Sequence, residues 1–254
     1  MKDSLLKRAI GRSFFPYGSV RTVLFGPCRG VKFRVTRDTG YAPLLGYEKK
    51  NQLFLKGKIR PGMTVYDVGA HVGEFALLFA KLTGPAGNVV AFEPNRDCYG
   101  QLVANASLNG FVNLRSIEVA LGNRNGTCEF MIHRGASHHS RLAGVYPMKP
   151  IPDSMRRVTV EMKRLDNIPG LPRPDILKID TEGSLMILLE GAHQTIRQNS
   201  PSFFVEMHGP DEEDAVRSLI RDGYVVETLT GRPADSSPGS ADLKGHLWAY
   251  RARR

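Results

Sequence analysis

The chain is predicted to fold as an α/β domain around a parallel sheet, and three observations carry that prediction. Residues 64–95, TVYDVGAHVGEFALLFAKLTGPAGNVVAFEPN, read as one complete strand, glycine turn, helix and second strand. Two later apolar runs, Asp175 to Ile179 and Ser202 to Val205, each deliver acids at their carboxyl ends, the edge that faces the ligand crevice in an open parallel sheet. The 254 residues are 41% hydrophobic with no biased tract, enough to bury one large core.

At the front, Ser4 to Ile10 is a short amphipathic helix candidate, and Val20 to Val35 reads as strand and turn, punctuated by Gly26-Pro27 and Arg29-Gly30. Gly46, Tyr47 and Glu48, then a helix through Leu53 and Leu55, lead to the turn at Pro61-Gly62. Residues 1–60 hold 14 Lys plus Arg against Asp3, Asp38 and Glu48, so the net charge of +10 belongs to this front. The chain is therefore divided into a small basic N-terminal extension or cap, 1–60, and a nearly neutral body, 61–254. Such an extension suits an anionic membrane face, an acidic carrier, a phosphorylated sugar or RNA, or it is simply a solvated face. With a neutral body, nucleic acid is disfavoured as a partner.

The next strand, Thr64 to Val68, stops at Gly69-Ala70-His71-Val72-Gly73. The missing side chains let the backbone turn sharply and approach a small molecule at the start of the following helix. That helix runs from Glu74 to Leu82, and the next strand, Asn88 to Phe92, ends in Glu93 with Pro94 and Asn95 behind it. A carboxylate there can accept both hydroxyls of a ribose. A nicotinamide site would need glycine where His71 stands, and Asp67 would repel a diphosphate. A ligand carrying an ammonium and a sulfonium is attracted instead, so the corner suits S-adenosylmethionine.

Beyond Arg96, a helix carries Cys98, Leu102, Val103 and Leu108 and stops at Asn109-Gly110. A third strand, Asn113 to Val119, is expected to end at Ala120-Leu121-Gly122, where small residues let an adenine lie against the sheet. Strand candidates Thr127 to His133 and Arg157 to Lys163 bracket a loop rich in Gly, Ser, His and Pro, the composition of a substrate lid. Within it His138, His139 and Ser140 are candidate substrate contacts. His133, His138 and His139 are not read as a metal site, because two neighbours on one loop point apart and no carboxylate accompanies them. No metal is expected.

The strand ending at Ile179 delivers Asp180, Thr181, Glu182 and Gly183, and the strand ending at Val205 delivers Glu206 and His208 to the same edge. Asp180, Glu182, Glu206 and His208 thus form a second chemical centre opposite the glycine corner. His208 is the first choice for a general base, since an ordinary imidazole titrates near pH 6.5, and Asp180 is the second; Glu206 completes the catalytic set. A helix from Asp211 to Arg221, a strand from Tyr224 to Thr228 and a closing strand from His246 to Tyr250 finish the chain.

Four stretches in order, DVGAHVGEF, AFEPN, KIDTEG at Lys178 to Gly183 and VEMH at Val205 to His208, resemble the FkbM family of S-adenosylmethionine-dependent methyltransferases. The resemblance covers about Gly46 to His208. It implies a class I, Rossmann-like, seven-stranded, mostly parallel sheet with helices on both faces, and O-methylation of a hydroxyl on a sugar, glycolipid, polyketide or similar metabolite. It implies cofactor contacts from Asp67, Gly69, Ala70, His71, Gly73, Glu93, Pro94, Asn95 and Ala120, with Glu48 near the mouth. Two departures stand out: the family usually has asparagine where His71 stands, and often an acid where Leu185 stands. An RNA methyltransferase is the alternative enzyme, though the Asn-Pro-Pro-Tyr type tetrad of many base N-methylators is missing; a non-catalytic module that only binds the cofactor is the other.

Three scattered cysteines, Cys28, Cys98 and Cys128, make neither a disulfide framework nor a metal knuckle and point to the cytoplasm. No run of about eighteen uncharged apolar residues occurs, so no transmembrane segment is expected.

Overall fold

The computed structural model describes residues 16–36, 48–133, 140–143, 152–209, 212–235, 237, 243 and 245–252. The helix expected at Ser4 to Ile10, the Gly46-Tyr47 pair and the loop residues His138 and His139 lie outside them. The chain begins with an antiparallel hairpin, β1 (Val20–Thr22) and β2 (Lys32–Arg34), followed by α1 (Lys49–Lys58). The central run is β3 (Thr64–Val68), α2 (Glu74–Thr83), β4 (Asn88–Phe92), α3 (Arg96–Asn109) and β5 (Leu114–Ile117). Next come β6 (Ala120–Leu121), β7 (Gly126–His133), β8 (Arg141–Leu142) and β9 (Met155–Lys163). The second half holds β10 (Ile176–Ile179), α4 (Leu185–Gly191), α5 (His193–Asn199), β11 (Ser202–Met207), α6 (Glu213–Arg221), β12 (Val225–Thr228) and β13 (Gly245–Tyr250).

Seven strands form one sheet in the order β12-β13-β11-β10-β3-β4-β5. β11, β10, β3, β4 and β5 run parallel, and β13 is antiparallel to both β11 and β12. The chain winds outward from β3 in one direction and from β10 in the other, so the crevice for a ligand opens where these two strands part at their carboxyl ends. β3 is buried throughout because helices cover both faces. Tyr66 and Val68 pack toward α4 and α6 in one apolar cluster, while Val65 packs with α1, α2 and α3 in the other.

Two expectations change. The boundary drawn at residue 60 falls inside a shared core: Val23, Cys28, Val31 and Phe33 of the hairpin region, with Leu55 and Ile59, are buried in the same cluster as Leu77 and Leu102. The hairpin is also fastened to α3, since Asn109 Oδ1 accepts from the Lys32 amide at 2.8 Å and Asn105 Oδ1 from the Arg34 amide at 3.0 Å. Ala120 and Leu121, expected at the end of the third strand, form a strand of a different sheet, ordered β6-β9-β7-β8. The strands bracketing the expected lid are thus a paired hairpin, β7 against β9, from Gly126 opposite Met162 to His133 opposite Met155.

Candidate active site

The parting of β3 and β10 opens a cavity of about 290 Å³. Its glycine corner is shaped by backbone demands. Gly69 has φ +76, and a Cβ there would lie 1.9 Å from the Asp180 carbonyl oxygen, so only glycine lets β3 and β10 approach this closely. Two residues on, His71 sits at φ 50, a left-handed conformation that histidine and asparagine adopt more readily than most residues. Gly73 caps α2 at φ 94 and makes room for Leu102 of α3, whose Cδ1 would lie 2.6 Å from an added Cβ.

Glu93 fixes the other side of this corner. Its Oε2 accepts from the His71 amide at 2.7 Å and its Oε1 from the Asn95 amide at 2.8 Å. Burial pushes its pKa up to about 7 against the pull of those two donors and of Lys178. Glu93, Pro94, Gly69, Ala70, His71 and Ala120 all line the cavity. Three other expected cofactor residues stand behind it. Gly73 serves helix packing, and Asn95 caps α3, its Oδ1 accepting from the Asp97 amide at 3.1 Å. Asp67 is fully buried, and its Oδ1 lies 3.2 Å from Lys178 Nζ.

Lys178 is the residue the sequence reading passed over. It is the direct cross-strand neighbour of Asp67, is itself buried, and also lies 3.3 Å from Asp180 Oδ2 and 3.3 Å from the Gly69 carbonyl. Burial works against its charge, but Asp67, Asp180 and Glu206 together hold its pKa above the ordinary lysine value. A lysine inside ILKI, a strand otherwise buried and apolar, needs a carboxylate partner, and that was the legible signal.

Across the cavity, Asp180, Glu182, Glu206 and His208 meet as expected. His208 Nε2 lies 3.0 Å from Asp180 Oδ1, and its Nδ1 lies 3.5 Å from Glu182 Oε2. Asp180 is held well below the usual carboxylate range: Lys178 and His208 outweigh its burial. Burial opposes the imidazolium of His208, yet the Asp180 hydrogen bond and the charges of Glu182, Asp180 and Glu206 raise its pKa to about 9. The free imidazole expected from its ordinary pKa is therefore replaced by an ion-paired one, and His208 and Asp180 are a bonded unit rather than alternatives. Glu212 anchors the unit from below, accepting the His208 amide at 2.7 Å and the Leu185 amide at 3.3 Å. Glu206 Oε2 lies 3.2 Å from His246 Nε2 on β13.

The remaining wall comes from the second sheet. Phe130 and Leu142, opposite one another on β7 and β8, line the cavity with Leu121 and Ser140. Ser140 Oγ accepts from the His133 amide at 3.2 Å. Glu48 and Glu74 also line the cavity, and burial with the charge of Glu48 lifts Glu74 to about 8.

S-adenosylmethionine fits this lining and a dinucleotide does not. Among the described residues the one Lys or Arg on the cavity is Lys178, already engaged by two carboxylates, so a diphosphate would find no counter-charge. A cationic ligand finds acids, a carboxylate braced for hydroxyls and an apolar wall for a flat base. The open sheet, its switch point and this lining are those of the class I S-adenosylmethionine-dependent methyltransferase fold. The methyltransferase FkbM domain matches residues 67–228, more than half of the chain, and the chain belongs to that family.

Among its relatives, methyltransferase sdnD of Sordaria araneosa is 27% identical over 51% of this chain and 60% of its own length. Hexuronic acid methyltransferase AglP of Haloferax volcanii is 26% identical over 61% of this chain and 60% of its own. The 31-O-demethyl-FK506 methyltransferase FkbM of Streptomyces tacrolimicus is 28% identical over 66% of this chain and 75% of its own. The match to the first two thus spans about 60% of their length. A solved methyltransferase FkbM from Methylobacillus flagellatus aligns with TM-score 0.48 and 15% identity, covering 86% of this chain and 56% of that one. Among the described residues, no helix is long and apolar enough to cross a membrane.

Proposed function

We propose that the protein is an O-methyltransferase acting on a hydroxyl of a sugar, glycolipid, polyketide or similar metabolite. One observation carries the reading: a single cavity has the braced Glu93 and glycine corner at one end and the Asp180–His208–Glu206 cluster at the other. The names of two relatives, acting on a hexuronic acid and on 31-O-demethyl-FK506, support a hydroxylated acceptor.

Bound at the corner, S-adenosylmethionine supplies an electrophilic methyl group on a sulfonium. Glu93 would accept the ribose hydroxyls, the Gly69, Ala70 and His71 backbone would line the approach, and Pro94 and Ala120 would flank the base. Asp67 acts through Lys178, which keeps Asp180 ionised, while Gly73 and Asn95 hold the corner's shape. On the acceptor side Asp180, His208 and Glu206 orient the hydroxyl and assist the loss of its proton to water, since their ion pairing keeps His208 protonated to about 9 and Asp180 ionised, with Glu182 and Ser140 beside them and His138 and His139 as further contacts. Alignment supplies most of the rate in such a displacement, and proton removal the rest. The basic front is proposed to meet an anionic surface or acceptor.

The test is transfer of a labelled methyl group to a panel of uronic acids, neutral sugars and polyketide alcohols, with RNA as a further acceptor. Label on a hydroxyl oxygen supports the reading. Tight S-adenosylhomocysteine binding with label in no acceptor would make the protein a cofactor-binding module instead.

A further inference from the structure

We propose that Asp180, Glu206 and His208 form a binding site for one divalent cation of the magnesium or manganese type, and that the ion takes two neighbouring oxygens of the acceptor. One ligand atom from each residue lies within 4.8 Å of the others. In an octahedron around such an ion, adjacent ligands are separated by about 3 Å and opposite ones by about 4 Å, so small side-chain rotations close the set. Its frame is rigid, because Asp180 follows β10, Glu206 lies in β11 and His208 follows β11, and the two strands are paired along their length.

Each ligand is braced by an outer partner, the arrangement that aims ligands at a metal. Glu182 stands 3.5 Å from His208 Nδ1, which leaves Nε2 for the ion, and Glu212 holds the His208 amide at 2.7 Å. Lys178 Nζ lies 3.3 Å from Asp180 Oδ2, leaving Oδ1 toward His208, and His246 Nε2 lies 3.2 Å from Glu206 Oε2. Asp180 Oδ1 and His208 Nε2 face one another at 3.0 Å, and the cation would take the place of that direct contact.

Charge gives an independent argument. Glu48, Asp180, Glu182 and Glu206 line the cavity against Lys178 and His208, while Glu74 and Glu93 keep their protons to about 8 and 7. A sulfonium cofactor adds one net positive charge, so the acceptor end keeps a negative excess that repels any anionic acceptor until a cation offsets it. Two carboxylates and one imidazole suit a hard ion better than zinc or copper and leave positions open. Two adjacent open positions select an acceptor with a vicinal diol or a hydroxyl beside a carboxylate. The ion lowers the pKa of the hydroxyl it holds: the O–H bond breaks, its electron pair stays on oxygen, and the proton leaves to water.

The acceptor's part in this inference rests on the proposed methyl transfer; the cation site does not, and the experiment separates them. Full-length protein stripped with EDTA is titrated with Mn²⁺ while free ion is followed by electron paramagnetic resonance. One equivalent should bind, Glu206→Gln should weaken binding by tenfold or more, and His246→Ala, which removes only an outer partner, by about tenfold. Circular dichroism reports the fold of each variant, and the wild-type titration decides even if a variant unfolds. Absence of saturable binding in wild type, or wild-type affinity in a folded Glu206→Gln, overturns the site. Undiminished methylation of diols and hydroxy acids in EDTA overturns the ion's role and leaves the methyltransferase reading intact. Saturable binding with no methylation of any hydroxyl keeps the site and removes that reading.

Discussion

The two ends of the cavity use carboxylates in opposite ways. At the glycine corner Glu93 is satisfied by two main-chain amides and, for want of a close cation, its pKa rises to about 7. At the β10–β11 edge Asp180 is paired with Lys178 and His208, which hold it ionised far below that. The first arrangement suits a group that accepts hydrogen bonds from neutral hydroxyls. The second suits a group that must stay charged while a proton moves nearby. The difference lies in what each acid is paired with, and Asp180 is also the less buried of the two.

Disabling one end alone gives the largest expected effect. His208→Ala and Asp180→Asn should each lower turnover by about 10² to 10⁴ while S-adenosylhomocysteine affinity stays within a few fold, by calorimetry. Because the two side chains are bonded, the double variant should be no slower than the slower single one. Losses that multiply would separate them into independent groups.

Gly69 joins the ends, since its α-carbon abuts the Asp180 carbonyl. Gly69→Ala should destabilise the protein by about 3 kcal/mol in urea unfolding, through positive φ and a main-chain clash, and impair both cofactor binding and turnover. A stable variant that lost only one of the two functions would show that the ends are uncoupled.

Glu93→Ala should weaken S-adenosylhomocysteine binding by about 10- to 100-fold, the scale of losing one or two charge-assisted hydrogen bonds, with turnover at saturating cofactor much less affected. Unchanged affinity removes Glu93 from the cofactor.

A pH slope reports on the same corner without a ligand. Glu93 and Glu74 keep their protons to about 7 and 8 when folded but have ordinary values near 4.5 when unfolded. In that window the folded state binds more protons, so stability should fall as pH rises from about 5 to 8. Glu93→Gln should flatten the lower part of the slope, measured by urea unfolding at several pH values; an unaltered slope would assign it elsewhere.

The glycine corner and Glu93 were legible because everything that shapes them lies within residues 64–95. Strand, turn, helix and strand follow one another, and periodicity with glycine placement specifies them locally. The convergence of Asp180, Glu182, Glu206 and His208 was legible too, because parallel strands deliver their ends to one edge. Pairing was not. Whether Asp67 faces a ligand or Lys178 depends on the register that sets these two opposite one another across β3 and β10. Whether His208 is a free imidazole or an ion-paired one depends on three carboxylates brought around it from β10 and β11. The switch of Ala120 and Leu121 into a second sheet, which walls the cavity with Phe130 and Leu142, likewise follows from partners 42 residues on in β9 rather than from local pattern. The sequence alone determined which elements form and which edge carries the chemistry, since backbone propensity and apolar spacing act over a few residues. Only the tertiary structure decided the charge each side chain holds, because Coulomb interactions and desolvation depend on neighbours that chain distance does not specify.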